Sequence, residues 1–511
     1  MKPSLINLFL LPTLIAGLGL ILAGRAAAQT FTTLYTFSAA SGSYPILTNS
    51  DGASPYGGLT LSGNTLYGTA PYGGTNAQGT VFAVNTDGTG FTNLHTFTGN
   101  SGSSPYVVTN SDGANPWAGL ILSGNTLYGT AVGGGTNGEG TVFAVNTDGS
   151  AFANLHSFPG YPSDGANPWA GLILSGNTLY GTALAGGTNG NGTVFAVNTN
   201  GTGFTTLYSF AAGSGSLPYQ YTNSDGAWPQ AGLILSGNTL YGTTRGGGTN
   251  GNGTVFAVNT EGTGFTNLHT FTANSGSSPY VVTNSDGANP WAGLILSGNT
   301  LYGTAPYGST NAQGTVFAVN TDGTGFTNLH IFSALSGSNQ TNSDGASPFA
   351  GLTLWGNTLY GTAVGGGANG QGTLFAVNTD GTGFTNLHTF SALSGSNQTN
   401  SDGASPFAGL TLWGNTLYGT AQSGGANANG TVFSLSLAPQ LTITPFGANV
   451  VLTWPTNVAG FDYSGFTLQS TTNLVSPSSW ITNSPPPVVV NGQNTVTNPI
   501  SAAQQFFRLI Q

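Results

Sequence analysis

One hexapeptide, Asn-Thr-Leu-Tyr-Gly-Thr, occurs seven times, with its tyrosine at Tyr67, Tyr128, Tyr180, Tyr241, Tyr302, Tyr360 and Tyr418. A chain repeated this way must give each unit the same surroundings, so neighbouring units stack and bury a shared core. The spacing around each tyrosine is fixed. Sixteen residues before it stands the aspartate of Ser-Asp-Gly: Asp51, Asp112, Asp164, Asp225, Asp286, Asp344 and Asp402. Fourteen residues after it stands the apolar residue of a Gly-Thr-Val-Phe segment, from Val81 in the first copy to Val432 in the last. In the first six copies another 13 residues lead to the leucine of a Phe-Thr-Asn-Leu-His-Thr-Phe-like segment, Leu94 to Leu387. Every length change falls between that segment and the next Ser-Asp-Gly. The unit is one rigid module with one elastic connection.

Each module reads as four short strands. In the second copy these lie near 119–122, 126–131, 141–146 and 152–158. Ser123-Gly124-Asn125 and Asn146-Thr147-Asp148-Gly149 are hairpin turns, because Gly and Asn tolerate the positive φ that tight hairpins require. The segments are too short and too Gly-rich for helices. Val142-Phe143-Ala144-Val145 carries apolar residues on both faces, which suits a small sheet between two like sheets. Seven such sheets suggest radial repetition. The seventh copy ends after Gly430-Thr431-Val432-Phe433 without a fourth strand. A spare strand, Phe31 to Phe37, precedes the first copy. The fold expected is therefore all-β: a seven-bladed β-propeller over residues 29–437, closed by its N-terminal strand, rather than a linear β-solenoid. Closure would remove the exposed edges that a linear array leaves.

The Gly-Asn-Thr-Leu-Tyr-Gly-Thr, Gly-Thr-Val-Phe and Leu-His-Thr-Phe segments resemble the GloVer tandem repeat of exported proteins from Verrucomicrobia and similar bacteria. The resemblance covers residues ~31–437. It implies export and repetition and supplies no catalytic residues.

Residues 1–28 read as an export signal. Lys2 gives the positive start, Leu5 to Ala23 the apolar run and Ala26-Ala27-Ala28 the cleavage site; an uncleaved membrane anchor is the competing reading. No later stretch is long enough to span a membrane as a helix, so the mature chain is expected to be soluble, extracellular or on the cell surface, and monomeric. After residue 437 the repeat disappears. Residues 438–511 carry alternating apolar runs such as Val450-Val451-Leu452-Thr453-Trp454. They look like a small β-sandwich similar to a fibronectin type III module, with Trp454 in its core. Its role is read equally as attachment or as a spacer.

Composition limits the chemistry. Charged residues make up 4% of the chain, with four Lys/Arg, fourteen Asp/Glu and no Cys. There is no basic stripe for nucleic acid and no thiolate for a disulfide, a metal or nucleophilic catalysis. The five histidines, His95, His156, His269, His330 and His388, share a module position that Tyr35 and Tyr208 take elsewhere. Tyrosine substitution argues against a metal ligand, so no metal site is expected. Seven Ser-Asp-Gly aspartates read first as turn residues. As a ring on one rim they would attract Ca²⁺ or cationic groups weakly.

Aromatic residues beside proline form the other candidate set: Tyr56, Trp117, Trp169, Trp291, Phe349 and Phe407 follow a proline, whereas Trp228 precedes Pro229. They stand just before the innermost strand and could ring one mouth of the propeller. Flat amphipathic rings with polar acceptors suit stacking on sugars; packing between blades is the competing explanation. Near-identical blades offer few unique residues from which to build an active site. Gly88–Ala131 and Gly262–Ala305 differ only at Gly99 versus Ala273. The expectation is a non-catalytic, cofactor-free exported protein that binds glycans or a cell-surface component. The alternatives are a surface or adhesion scaffold and, less favoured, a carbohydrate-active propeller enzyme.

Overall fold

The structure, a computed structural model, describes residues 29–43, 46–99, 109–215, 221–275, 283–472, 480–483, 486–499 and 505–510. The export signal read over residues 1–28 lies outside the described residues. Among those described, all regular structure is β, and no helix is long and apolar enough to cross a membrane.

Phe31–Leu435 forms one compact unit. It holds repeated four-stranded antiparallel sheets in a propeller-like arrangement. In the second copy the strands are Ile121–Ser123, Thr126–Ala131, Thr141–Asn146 and Ala153–Ser157, paired in sequence order. The other copies repeat this pattern, and the sheet of the last copy has the order Thr30–Thr36, Thr431–Ser436, Thr416–Ala421, Thr411–Trp413. Its fourth strand thus comes from the N-terminus.

The third strand supplies apolar residues to both faces, and each face packs on a neighbouring sheet. Phe143 and Val145 lie in a cluster with Val81, Ala83 and Phe97 of the preceding sheet. Val142 and Ala144 face Phe195 and Val197 of the following one. Another cluster joins Phe37, Tyr418 and Val432 to Leu59, Leu66 and Phe82 of the first copy. The phenylalanine just past each fourth strand, Phe97 and Phe158 for example, is fully buried. Burying such a side chain stabilises by about 1.5–3 kcal/mol.

Gly129 of the Tyr-Gly-Thr segment pairs directly with Phe143 on the third strand. A Cβ there would lie 2.6 Å from the Phe143 ring and 2.8 Å from Leu120. The missing side chain is the space that the phenylalanine ring occupies.

The C-terminal unit contains Ser436–Gln511. One of its sheets orders Thr442–Phe446, Asn449–Pro455, Gln493–Pro499 and Val488–Val490; a second orders Ile481–Thr482, Thr467–Thr471 and Phe506–Ile510. Trp454 is fully buried.

Candidate functional site

The innermost segments of the repeats approach one another backbone to backbone. A Cβ on Gly119 would sit 2.7 Å from the Gly58 carbonyl oxygen, and one on Gly293 3.0 Å from that of Gly232. Side-chain hydroxyls link the same segments: Thr69 donates to Ala118 O at 2.8 Å, Thr130 to Ala170 O at 2.9 Å and Thr420 to Gly57 O at 3.4 Å. Each proline just ahead of these segments packs on the previous repeat. Pro116 Cδ would lie 2.7 Å from a Cβ on Gly79, a position that needs glycine because its φ is +94°. Proline and glycine together fix where the residue after the proline points.

That residue points into a single cavity of about 170 Å³. Tyr56, Trp117, Trp169, Trp291, Phe349 and Phe407 line it with the Gly and Ala backbone beneath them. Their rings touch in series. Trp169 meets Trp117 at 4.7 Å between centroids, Trp117 meets Tyr56 at 4.5 Å and Tyr56 stacks on Phe407 at 4.3 Å. Phe407 then meets Phe349 at 5.1 Å, and Phe349 meets Trp291 at 4.9 Å. Burial is the main cause that pushes the Tyr56 phenol above its ordinary pKa, helped by Tyr72 and Tyr307. It stays a neutral hydrogen-bonding group.

Trp228 does not join these six. It occupies the position before proline, where the backbone is left-handed in the second copy at Asn115 (φ 55°) and here at Trp228 (φ 59°). Its ring lies instead against Tyr221, at 5.0 Å, and over Gly246. Gln230 follows Pro229 and takes the cavity position. Residue type groups Trp228 with the aromatics of the other copies, whereas position after the proline selects Gln230.

The seven aspartates form no ring at this cavity. Asp51, Asp112, Asp225, Asp286, Asp344 and Asp402 are buried, and none lines the cavity. Each accepts a hydrogen bond from the ring at the shared His/Tyr position of the strand before it. His95 Nε2 lies 2.9 Å from Asp112, His269 2.9 Å from Asp286, Tyr35 Oη 2.6 Å from Asp51 and Tyr208 Oη 2.6 Å from Asp225. The backbone N–H just past the buried phenylalanine also donates, as Thr98 does to Asp112 at 3.1 Å. Burial alone would raise the Asp112 carboxyl, but donors from His95 and Thr98 outweigh it and hold the group below the usual carboxylate range. Asp344 and Asp402 behave alike with His330 and His388. In the third copy Asp164 is more open, at 20% side-chain exposure, and its contact with His156 at 3.0 Å lacks hydrogen-bond geometry. Burial there lowers the His156 pKa, against the pull of Asp164.

The same His/Tyr rings also stack on the next repeat: His95 on Phe152 at 3.7 Å, Tyr35 on Phe91 at 3.8 Å and His388 on Phe31 at 3.9 Å. The turn acids do local work. Asp87 Oδ1 accepts from Thr89 N at 2.9 Å and from Thr89 Oγ1 at 2.6 Å. Among the described residues no three His, Asp or Glu side chains converge as a metal site would require.

Residues 106–222 match the Gloeobacter/Verrucomicrobia repeat. That stretch carries this repeat. The match spans the second and third copies, and the segments that define them recur in the other copies. Among curated proteins, none matches the chain. Several solved structures resemble it in part. An oligogalacturonate lyase from Vibrio parahaemolyticus is 10% identical over 80% of this chain and 97% of its own, with a TM-score of 0.43. A 6-phosphogluconolactonase-like protein from Bacteroides fragilis is 14% identical over 89% and 97%, with a TM-score of 0.40.

Proposed function

We propose that the sheets of this repeat protein close into a seven-bladed propeller, exported from the cell, whose aromatic cavity binds a glycan without catalysing a reaction on it. The cyclic reading is supported by contacts that return from the last copy to the first: the N-terminal strand in the last sheet, Tyr35 on Phe91, and Thr420 on Gly57 O. One observation carries the binding reading: six aromatic side chains, each from a different repeat, line one cavity.

Alternating flat faces and edges offer stacking surface for the C–H face of a pyranose, and the Tyr56 hydroxyl and Gln230 amide supply polar contacts. A volume of about 170 Å³ is well below the ~300 Å³ at which drug-sized pockets begin. It suits one ring, so the ligand is a chain end or a single branch residue rather than an internal stretch. The lining holds no Asp, Glu, His or Lys to serve as general acid or base, which favours a binder over an enzyme.

The test is calorimetric titration of the mature chain with soluble oligosaccharides chosen from a glycan array. Each ring contact is worth about 0.5–1.5 kcal/mol. Trp117→Ala, Trp169→Ala and Trp291→Ala should therefore each weaken binding about two- to tenfold while the fold is retained. Absence of binding to any glycan, or affinity that these three changes leave intact, would remove the proposal.

A further inference from the structure

The cavity is aromatic on six of its seven sides and polar on one. Gln230 stands on the seventh side, only 8% exposed, and its Oε1 has no hydrogen-bond partner. A buried amide oxygen without a partner is costly, and native structures carry few of them. The next ring around the cavity is Trp291, and its Nε1 is also buried without a partner. Over the face of that same indole lies Arg245, its guanidinium carbon 4.6 Å from the ring centroid.

Arg245 is the only Lys or Arg between residues 29 and 437. The ion pairs among the described residues all join His to Asp, and Arg245 takes part in none. Burial disfavours its charged form, with only Tyr307 opposing that effect. An arginine held against a tryptophan face, partly withdrawn from water, is a charge with no paired carboxylate among the described residues. The unmet indole N–H and the unmet amide oxygen belong to adjacent residues of the cavity lining, and the uncompensated guanidinium stacks on the indole, just outside that lining.

We infer that the sugar taken by this cavity is acidic, a hexuronic acid or similar carboxylate-bearing ring, oriented with its carboxylate toward Arg245, Gln230 and Trp291. This rests on the glycan-binding reading above and adds the charge and the orientation of the ligand. A planar carboxylate accepts two parallel hydrogen bonds from a guanidinium fork. It also has lone pairs left for the Trp291 indole N–H and for an amide N–H of Gln230, whose two ends exchange by a simple flip. The opposite, aromatic side is left to cover the ring face. A neutral sugar would satisfy the stacking surface and leave the arginine as it is. The repeats are nearly alike, so this sector is also what would fix one orientation among seven.

The experiment titrates the mature chain with glucuronate and galacturonate, each against its neutral counterpart, glucose or galactose, and with glucose 6-phosphate as a non-planar anion. The acids should bind at least tenfold more tightly than the neutral sugars, and more tightly than the phosphate. Raising the salt concentration should narrow that margin. Arg245→Gln should abolish the preference while leaving neutral-sugar affinity within about twofold, and Arg245→Lys should restore part of it. Unfolding midpoints of both variants are measured alongside. Equal affinity for acid and neutral forms in the parent protein, or an Arg245→Gln change that weakens all sugars alike, overturns the assignment of charge but leaves glycan binding standing. Failure of every sugar to bind overturns both. Preference for the phosphate over the uronates replaces the carboxylate with a tetrahedral anion and so also refutes the proposal.

Discussion

At the residue scale the protein rests on one recurring arrangement, a buried aspartate that collects donors from the preceding strand. His95, its counterparts and the two tyrosines differ in charge and chemistry, but each has an N–H or O–H at the far end of a ring. That shared property was present in the sequence and points to an acceptor. The acceptor itself was not legible, because Asp112 stands 17 residues after His95 across the elastic connection, and Asp-Gly reads most simply as a turn. Within the Ser-Asp-Gly region the turn duty falls on a different residue, Asn110, whose Oδ1 accepts from Gly113 N and Gly135 N at 2.9 Å. Asp112→Asn keeps the size and loses the charge. It should destabilise by about 1–3 kcal/mol, read as a lower denaturant midpoint with unchanged slope. The pH dependence follows from the depressed Asp112, Asp344 and Asp402 carboxyls. Their pKa values are lower folded than unfolded, so their contribution is complete above about pH 4 and is lost as pH falls through the folded values. His156 is also depressed. The unfolded chain therefore takes up its proton first, and stability begins to decline below about pH 6.5. His156→Tyr, the residue type found at this position in the fourth-copy junction and at the N-terminus, should remove that early decline in an acid titration followed by circular dichroism.

At the element scale the four-strand module was largely readable. The second and third strands of the second copy fall on the residues their composition indicates, and the outer strands differ by one or two positions. Two features escaped. The first is the bulge between the third and fourth strands, where Val142 faces His156 but Phe143 faces Asn154. Leu155 is the extra residue. A bulge shifts the register by one and re-aims the side chains beyond it, here turning His156 and Asn154 to their partners; a pattern of apolar residues carries no mark of such a shift. The second is the exchange of space between Gly129 and Phe143, which depends on a cross-strand pairing rather than on neighbours in sequence. Gly129→Ala forces a methyl into the Phe143 ring and should cost about 1–3 kcal/mol through overpacking. Combining it with Phe143→Leu should recover part of that loss. A double-mutant cycle in chemical denaturation measures the coupling, and additive effects would show that the two positions do not share one space. The cavity was legible in the same partial way. Six of its aromatics could be named from the proline beside them, whereas Gln230 could not, because its copy exchanges the order of aromatic and proline.

At the scale of the whole molecule the decisive element is the N-terminal strand. It supplies Phe31, which stacks on His388, and Tyr35, which stacks on Phe91. Phe37, fully buried, joins the cluster that contains Phe82 and Val432. One short strand thus touches the repeats at both ends of the array, and its place was foreshadowed in the sequence by a seventh copy that lacks a fourth strand. Removing residues 29–38 from a chain that begins at residue 29 would expose the edge of Thr431–Ser436 and uncover apolar surface on Phe82 and Val432. An open edge beside an apolar face is a template for pairing with another chain. The truncated protein should therefore self-associate at concentrations where the chain that keeps residues 29–38 does not, and unfold at a lower denaturant concentration. Loss of buried Phe37 alone removes about 1.5–3 kcal/mol, before any strand hydrogen bonds are counted. A synthetic peptide of residues 29–38 added in excess should dissociate the assemblies and raise the midpoint in proportion to its occupancy, because the groove it leaves is otherwise intact. A peptide with Phe37→Ala should do so poorly. Light scattering after size exclusion and denaturant titration read both effects. A truncated chain that stays monodisperse with an unchanged midpoint would mean that the repeats hold together without their first strand, and the proposed closure, with the single cavity that depends on it, would have to be given up.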